Sequence, residues 1–540
     1  MMPKRETCRI GVLLDLSKDL EPEMNLISKL VQINDSQIAQ ISVGLGYQGA
    51  DKRKHYPLNV KTFLEKLRLS LISLILHIET LQNANPRVIP QSPNHIATDK
   101  SVNIDAKKWA RGALKSDVMK EQLNQQEIIV ALSEPSEYFF ENLLPAQSLV
   151  YIKEPWSYPM SAVLRKDDNT DLTLVKYTRS EGPTFYKFSY ATQNSLYRNR
   201  RVNHTRRVER LFYEVQNLVE GNINPRNSHK VITPNLEYQN YSTVQLFRYI
   251  AIKGVKAVKL YLNIPLTSIK NSTKWKIGYQ RSFSFPSKIV SHETLTVSPN
   301  TYIADPFAIE SNGSTFCFFE QYSEDDTKGK IASAQVNSQS SLNLGIILEE
   351  DFHLSFPWIF EFKDRKFMCP ESSAANDVRL YEATDFPFTW RFHSYIFRNI
   401  SAVDSLIFEM NSHWWLFTNI DTSNSDEYNS ELFAFYSNSP IASDWTPHTA
   451  NPIKIGFEGG RNGGLFKIGA ETYRVGQQKE FDKYGTGFTI FRITDLQPNS
   501  FAEEEVWSSK VILDQFEFKH HFVVSGDICF FDYGLESKGN

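Results

Sequence analysis

The chain has 540 residues, a length that predicts two or more domains. Its 41% hydrophobic and 22% charged residues are ordinary for a globular protein, and the formal net charge of −3 argues against general polyanion binding. The four cysteines are widely separated, with neither disulfide nor metal-site spacing, so we expect no metal and no other cofactor.

The N-terminus carries Lys4, Arg5 and Glu6 before one short apolar strand, which differs from a secretory signal. The most apolar stretch, residues 67–78, is too short to span a bilayer and contains charged Arg68. We therefore expect a cytoplasmic protein.

The first elements indicate an α/β domain. Residues 9–14 and 37–43 are patterned as buried strands on either side of an amphipathic helix at residues 21–31, which is typical of a Rossmann-like parallel sheet. The glycine-rich stretch 44–49 matches a dinucleotide-binding fingerprint by letter. The residues after it lack helical periodicity, so the helix N-terminus that would hold a pyrophosphate is missing.

Residues 1–222 resemble the N-terminal domain of folate-dependent formyltransferases. The resemblance rests on the opening strand, on a strand at residues 172–177 and on the arginine-rich helix that follows. It implies an Asn/His/Asp constellation near the middle of the domain, whereas residues 148–156 contain no histidine. It therefore favours a degenerate domain used for docking or assembly.

Two basic segments follow, the second within a predicted helical linker at residues 223–272. Six arginines lie between Arg198 and Arg210, and a helix predicted at residues 244–262 carries Arg248 and three lysines. Such segments suit either a solvated helix surface or anionic headgroups, so peripheral contact with the inner membrane surface through Arg198–Arg210 is one expectation. Nucleic acid is not expected as a partner, because no basic strand interleaved with aromatic residues accompanies the arginines.

The second half, residues 273–540, repeats a strand–turn–strand pattern. Four copies and a weaker fifth follow one another at intervals of about 50 residues, a spacing typical of propeller blades. We predict a five-bladed β-propeller, closed by pairing of residues 275–279 with the last blade. The copies begin at Asp305, Phe356, Asp404, Asn462 and His520.

The open ends of these hairpins should meet at one end of the propeller, the mouth. In four copies the first and last residues are 15 positions apart and equidistant from the turn, so we expect them to face one another. The predicted lining is Asp305, Glu320, Glu371, Asp404, Asn419, Asn462 and Gln477. Neighbouring candidates are Trp358, Arg461, Gln478, Tyr484, His520 and His521.

Paired carboxylates beside amides and aromatic rings suit a sugar. Glycosidic bond cleavage needs one carboxylic acid to protonate the leaving oxygen and a second carboxylate as base or nucleophile. Crowding of carboxylates raises the pKa of at least one, which supplies the acid. Trp358 is a candidate for stacking on a sugar ring. The structural alternative is that these residues cap strand ends by binding backbone N–H groups.

The second half resembles the N-terminal propeller of plant glucosamine inositolphosphorylceramide transferase and its bacterial relatives and, more distantly, the five-bladed family-43 glycoside hydrolases. This resemblance implies a function in surface polysaccharide or glycolipid assembly. The matching motifs are residues 304–307, 356–358, 370–372, 402–404, 461–464, 473–478 and 484–485.

The hydrolase resemblance implies functions for individual residues. Asp305 corresponds to the general base, and Asp404 to the residue that tunes the acid and orients the sugar. The family's general acid is a Glu at the start of the fourth inner strand, where this chain has Arg461 and Asn462. Glu371 or Glu320 would then supply the proton, and Arg461 would bind an anionic or hydroxyl-rich part of the substrate.

Three functions are compatible with the sequence. The first is hydrolysis or transfer at a glycosidic bond of a glycan, either lipid-linked or anionic. The second is a non-catalytic glycan-binding or scaffold protein, which would be favoured if arginine and backbone groups satisfy all the carboxylates. The third is a formyltransferase with its site in the first domain.

Overall fold

The computed structural model describes residues 8–14, 26, 29–30, 38–45, 127–132, 134–135, 140, 143–154, 158–220, 229–231, 241–261, 273–323, 328–337 and 340–536. The chain divides into two compact units, Met1–Val258 and Lys259–Asn540. Most of the helix predicted at residues 21–31 and of the glycine-rich stretch at 44–49 lies outside the described residues.

One seven-stranded mixed sheet organises the described part of the first unit. Its strands are Cys8–Leu14 (β1), Ile38–Leu45 (β2), Ile128–Ala131 (β3), Ser148–Ile152 (β4), Asn169–Thr178 (β5), Gly182–Ala191 (β6) and His229–Val231 (β7). The order is β2-β1-β3-β4-β5-β6-β7, with parallel pairing from β2 to β4 and antiparallel pairing from β4 to β7. The Rossmann-like, formyltransferase-like class of residues 1–222 stays a prediction.

Three helices accompany this sheet: Tyr158–Arg165 (α1), Leu196–Glu220 (α2) and Thr243–Tyr261 (α3). Helix α2 contacts α1, β4 and β5, and α3 covers most of the basic helix predicted at residues 244–262. Among the residues described, none of the helices combines the length and apolar character needed to cross a bilayer.

Three of the six arginines, expected either at a solvated helix surface or against anionic headgroups, are buried in α2. Arg206 and Arg207 are 0% exposed, and Arg210 is 4% exposed. Arg207 donates to the backbone carbonyls of Leu132 and Glu154, each at 2.9 Å, so it ties α2 to the ends of the sheet strands. The predicted membrane contact is therefore wrong for these three side chains, because they are buried inside the domain.

Five small antiparallel sheets make up the second unit, which starts with Thr273–Gln280 (β8) and Glu293–Thr294 (β9). The first sheet contains Thr301–Ser311 (β10), Ser314–Ser323 (β11), Lys330–Val336 (β12) and Ser341–Leu348 (β13). The second contains Ser355–Phe362 (β14), Arg365–Ser372 (β15), Asp377–Asp385 (β16) and Thr389–Arg398 (β17). The third contains Ala402–Met410 (β18), His413–Ile420 (β19), Glu431–Ser437 (β20) and Thr446–Pro447 (β21), with Lys454–Ile455 (β22) paired to β20.

The fourth sheet contains Glu458–Ile468 (β23), Glu471–Glu480 (β24), Lys483–Gln497 (β25) and Ser500–Ser508 (β26). A short helix, Ser509–Ile512 (α4), leads to Phe522–Ser525 (β27) and Ile528–Glu536 (β28). The first strands of the sheets contact one another in a closed circuit, β10 to β14, β18, β23, β27 and back to β10. This arrangement is the predicted five-bladed β-propeller.

The fifth blade combines strands from both ends of the propeller. Its order is β27-β28-β8-β9, so β8 from the start of the unit pairs with β28 from its end. Trp275 lies opposite Gly534, and Tyr279 opposite Phe530. The prediction that residues 275–279 close the ring is confirmed.

Aromatic side chains fill the space between neighbouring blades. Phe307, Phe356, Trp415 and Phe417 belong to one core cluster and are at most 2% exposed. Complete burial of such a side chain contributes about 1.5–3 kcal/mol relative to exposure. Because each blade buries both of its faces against its neighbours, the ring is the unit of stability. Three cysteines lie in the propeller cores as free, buried thiols: Cys317, Cys369 and Cys529.

Candidate functional site

An unusual backbone conformation recurs where the first three inner strands begin. Asp305, Phe356 and Asp404 have φ angles of 53°, 46° and 51°, in the left-handed region. Each lies in an interruption of the pairing with the second strand of its blade. Left-handed geometry costs a non-glycine residue about 1–2 kcal/mol, so the contacts around the mouth must hold these positions in place.

These bulges shift the predicted cross-strand pairs by one residue. Glu320 lies opposite Ala304 instead of Asp305, and Glu371 lies opposite Ser355 instead of Phe356. The extra residue on the inner strand breaks the assumption of equal distances from the turn. The same offset occurs in the third and fourth hairpins, which pair Val403 with Asn419 and Asn462 with Gly476.

Asp305 belongs to a buried charge cluster that joins the first and fifth blades. Its Oδ1 lies 3.1 Å from Nε2 of His520, and Nδ1 of His520 lies 3.1 Å from Oδ2 of Asp532. The backbone N–H groups of His520 and His521 donate to Oδ1 of Asp532 at 2.9 and 3.0 Å. Asp532 thereby anchors the segment before β27 beside Asp305.

Burial and pairing together set the charges in this cluster. Burial opposes protonation of His520, but the carboxylates of Asp532 and Asp305 raise its pKa to about 10, so it is a cation at neutral pH. Burial alone would raise the pKa of Asp305, but the hydrogen bond from His520 and the proximity of His521 hold it well below its ordinary value. Asp305 is therefore an ionised carboxylate, and 10% of its side chain is exposed.

The pKa values of Glu320 and Glu371 are raised, whereas that of Asp305 is lowered. Burial, with repulsion from Asp305 and Glu371, raises the pKa of Glu320 well above its ordinary value. Burial, with repulsion from Asp404, raises the pKa of Glu371 to about 8 despite the nearby Arg461. The mouth thus combines an ionised Asp305 with two carboxyl groups whose pKa is raised by burial and by neighbouring carboxylates.

Asp404 is held by the fourth blade. Nε of Arg461 lies 2.5 Å from its Oδ2 and Nη2 lies 3.4 Å from its Oδ1, which makes a forked ion pair. The side-chain amide of Gln477 donates to Oδ2 at 3.1 Å, and that of Asn462 donates to the Asp404 carbonyl at 2.9 Å. The Asp404 carboxylate is therefore occupied by protein groups.

Asn419 and Asn462 are 0% exposed and connect the third and fourth blades. The backbone N–H of Asn462 donates to Oδ1 of Asn419 at 2.9 Å, while the amide of Asn419 donates to the carbonyls of Glu431 and Gly460 at 2.8 Å. Such complete burial excludes direct contact with a ligand. The two asparagines, which the sequence suggested as ligand-binding groups, instead fix the shape of the mouth.

An aromatic edge lies above the charge cluster. Tyr484 is 45% exposed, and its ring centre lies 5.0 Å from that of His520 and 5.6 Å from Cζ of Arg461. Trp275 packs edge-on against His520 with ring centres 4.5 Å apart. Tyr484 is therefore the aromatic side chain through which a ligand at the mouth can be contacted. Gln478, another candidate, donates to Oγ1 of Thr489 at 2.8 Å within its own blade.

Trp358 lies elsewhere. Its indole N–H donates to the carbonyl of Ile407 in the next blade at 2.6 Å, and its ring packs 5.3 Å from Phe307. It lines a cavity of about 320 Å³ that also contacts Glu409 and Lys467, near the turns of the third and fourth hairpins. The prediction that Trp358 stacks on a sugar at the mouth is thus unsupported, because its polar group and one face already serve blade packing.

Asp305, His520 and Asp532 also satisfy the distance requirement for a shared cation. Their potential ligand atoms lie within 4.8 Å of one another. The charged imidazole of His520 already lies between the two carboxylates, so a proton balances the cluster as a metal ion would. We assign no metal to it, and the expectation of a metal-free site stays a prediction.

Three groups that shape the mouth were not predicted from the sequence. Asp532 ends the fifth hairpin as Glu320 ends the first, but the shorter fifth hairpin hid this equivalence. Ser373, just after β15, donates to Oε1 of Glu371 at 2.7 Å. Nε2 of His353, between β13 and β14, lies 3.3 Å from Oε1 of Glu320. The last two lie outside the repeated motifs, so no repeat signal could have identified them.

Comparison with known proteins connects the propeller to one family. Residues 268–515 match the model described as "Glucosamine inositolphosphorylceramide transferase 1, N-terminal". Over 213 residues the chain is 34% identical to the glucosamine inositolphosphorylceramide transferase 1 proteins of Oryza sativa subsp. japonica and Arabidopsis thaliana. The aligned part covers 38% of this chain and 28% of each relative. The resemblance predicted for the propeller half is thereby confirmed, over little more than a quarter of the relatives' length.

Solved structures similar to the chain include glycoside hydrolases. Zg3597, a family 117 glycoside hydrolase of Zobellia galactanivorans, gives a TM-score of 0.32 at 12% identity and covers 50% of this chain and 92% of its own. The catalytic domain of the GH62 alpha-L-arabinofuranosidase of Coprinopsis cinerea gives 0.32 at 12% identity and covers 50% and 93%. The propeller assignment itself rests on the strand pairing and ring contacts of this chain.

Proposed function

We propose that the mouth of the propeller binds a glycan and cleaves or transfers it at a glycosidic bond. The observation that carries this proposal is the presence of ionised Asp305 beside Glu320 and Glu371, whose pKa values are raised by burial and by neighbouring carboxylates. Acid–base catalysis at a glycosidic bond uses carboxyl groups in these two states.

The proposed reaction assigns one proton transfer to each kind of carboxyl group. Glu320 or Glu371 gives its proton to the leaving oxygen as the bond from that oxygen to the anomeric carbon breaks. Asp305 takes a proton from the attacking water, or from a sugar hydroxyl in transfer, as the new bond to carbon forms. Asp404, held by Arg461, raises the pKa of Glu371. Tyr484 supplies an apolar face for the sugar ring.

The substrate class we propose is a glycan of a glycolipid or surface polysaccharide. Its support is the family match, because the family's name refers to an inositolphosphorylceramide, a glycolipid core. Arg461 and Tyr484 are the partly exposed groups that would meet the substrate, since the side chain of Arg461 is 16% exposed. A cytoplasmic site of action is part of the same proposal.

Binding and turnover on a panel of glycans and glycolipids test this function. Asp305→Asn and Glu371→Gln preserve side-chain shape while removing the base or an acid proton, so we expect retained binding and at least a 100-fold loss of turnover for Asp305→Asn. Glu361→Gln is the matched control, because Glu361 is exposed near the turn of the second hairpin and pairs with Lys366 at 3.2 Å. Wild-type protein that binds no sugar would overturn the proposal.

A second candidate function is glycan binding without catalysis. The observation that favours it is the occupation of Asp404 by Arg461 and Gln477, together with the buried Asn462 at the position of the family-43 acid. The same panel separates the two functions. Binding by wild type and by both mouth variants, with no product detected by mass spectrometry, would favour this second function.

A further inference from the structure

We propose that His353 is a positioning residue for Glu320, and that it acts as the neutral tautomer with its proton on Nε2. This proton is donated to Oε1 of Glu320, so that the carboxyl proton of Glu320 resides on Oε2. The catalytic consequence rests on the proposed function, in which Glu320 then becomes the acid of the mouth.

The tautomer follows from a backbone contact. The N–H of Gly329 donates to Nδ1 of His353 at 2.8 Å. A ring nitrogen that accepts a hydrogen bond carries no proton, so the proton of a neutral His353 must be on Nε2. Nε2 lies 3.3 Å from Oε1 of Glu320, within ion-pair distance of the carboxyl group, and 41% of the His353 side chain is exposed.

The backbone around Gly329 is built to hold this pair. A Cβ atom at position 329 would lie 2.6 Å from Oε1 of Glu320, 2.8 Å from Cε1 of His353 and 2.6 Å from the carbonyl oxygen of Leu354. The N–H of Leu354 donates to the Gly329 carbonyl at 3.1 Å. One backbone-to-side-chain and one backbone–backbone hydrogen bond therefore join Gly329, just before β12, to the segment before β14. The absence of a side chain at Gly329 leaves the space in which the imidazole and the carboxyl group meet.

Burial is the main reason that both partners favour their neutral forms: it raises the pKa of Glu320 and lowers that of His353. Asp305, Glu371 and Asp532 disfavour ionisation of Glu320, and His520 opposes them. Burial lowers the pKa of His353, although Asp305 acts in the opposite direction.

The direction of the hydrogen bond is consequently fixed. The imidazole donates from Nε2, and the neutral carboxyl accepts at Oε1. His353 cannot take up a second proton on Nδ1 without losing the Gly329 hydrogen bond. It therefore orients the carboxyl group of Glu320 and does not relay protons to it.

Nitrogen-15 NMR of histidine-labelled protein tests the tautomer without any substrate. At pH 7 we expect the His353 signals to show a protonated Nε2 and an unprotonated Nδ1, with assignment by their disappearance in His353→Gln. A proton on Nδ1, or a doubly protonated ring at this pH, would overturn the inference.

The pH profile of turnover tests the catalytic consequence. His353→Leu removes a donor that stabilises the carboxylate form of Glu320, so we expect the basic limb of the kcat/KM profile to move to higher pH and kcat to fall at least 10-fold. His353→Gln can still donate from its amide, and we expect it to restore kcat to within about 3-fold of wild type. The control is His413→Leu, near the turn of the third hairpin.

The outcomes distinguish this inference from the proposed function. A profile and a kcat that are unchanged in His353→Leu would overturn the positioning by His353 while leaving glycan turnover intact. A wild-type protein without turnover on any glycan would instead overturn the proposed function, and the NMR result would then decide the His353 assignment alone.

Discussion

Nε of Arg461 lies 2.5 Å from Oδ2 of Asp404, across the contact between the fourth and third blades. The Arg461 side chain is 16% exposed and that of Asp404 is 3% exposed, so the pair is largely shielded from solvent. A contact of this kind links two blades and at the same time determines which carboxylate of the mouth is unavailable as a base.

Replacing Arg461 by Met should destabilise the protein by about 3 kcal/mol, because an unpaired carboxylate would remain in a buried position. Urea denaturation at pH 7 measures the change. Arg492→Met is the control, since Arg492 pairs with Glu471 and Glu504 on the exposed surface. We expect no measurable shift of its denaturation midpoint. Equal shifts in the two variants would contradict the shielding of the Asp404 pair.

Glu371 should make stability fall between about pH 4.5 and pH 8. Its pKa is raised in the folded protein from 4.5 to about 8, so over this range the unfolded chain ionises Glu371 while the folded chain keeps it protonated. Below this range both states are protonated and above it both are ionised, so the effect is complete at pH 8.

Glu371→Gln should remove this penalty and be more stable than wild type above pH 8, by on the order of 2 kcal/mol after allowance for solvent screening. Denaturation at pH 5 and pH 8.5 gives the comparison. The exposed Glu361→Gln should show the wild-type pH dependence. A Glu371→Gln curve parallel to that of wild type would count against a raised pKa.

His520 should stabilise the fold in its charged form, whereas Glu371 favours its neutral form. Its pKa is raised from 6.5 to about 10 on folding, so its contribution is complete below pH 6.5 and declines as the pH rises towards 10. His520→Gln should therefore lose most stability at pH 6.5, and its deficit should shrink at pH 10. A constant deficit, measured by denaturation across this range, would exclude a charged His520. His413→Gln serves as the control.

Variants of Trp358 and Tyr484 should differ in effect: the first should lower stability, and the second should lower glycan affinity. Trp358→Phe removes the hydrogen bond to the Ile407 carbonyl and should cost about 1 kcal/mol of stability while leaving glycan affinity unchanged. Tyr484→Ala should leave the denaturation midpoint nearly unchanged, because the side chain is 45% exposed, and weaken glycan binding about 10-fold. Titrations with a glycan that the wild type binds measure both affinities. A lower glycan affinity of Trp358→Phe would indicate that Trp358 contacts the glycan.

The ring could be predicted from the sequence because its blades repeat. Each hairpin carries the same alternation of apolar strands and turn residues. Residues 275–279 precede the first copy, and this position made them the candidate strand that closes the fifth blade. The convergence of Asp305 and His520 follows from that closure, since the first and last blades are neighbours only in a closed ring.

The finer geometry of the mouth could not be predicted in this way. The left-handed conformations of Asp305, Phe356 and Asp404 arise from tertiary contacts, and each shifts a cross-strand pair by one residue. Burial was also invisible in the sequence. Arginine is a residue type expected at the surface, but Arg206 forms a buried ion pair with Glu209 at 2.9 Å.

The pairing of β8 with β28 has a consequence for biosynthesis. A ribosome translates Trp275 more than 250 residues before Gly534, its partner in the final sheet. The first four sheets can form outside the ribosome before His520 and Asp532 have been translated. The cluster of Asp305, His520 and Asp532 is accordingly assembled last, and a chain whose translation stops before β28 has four sheets and an incomplete mouth.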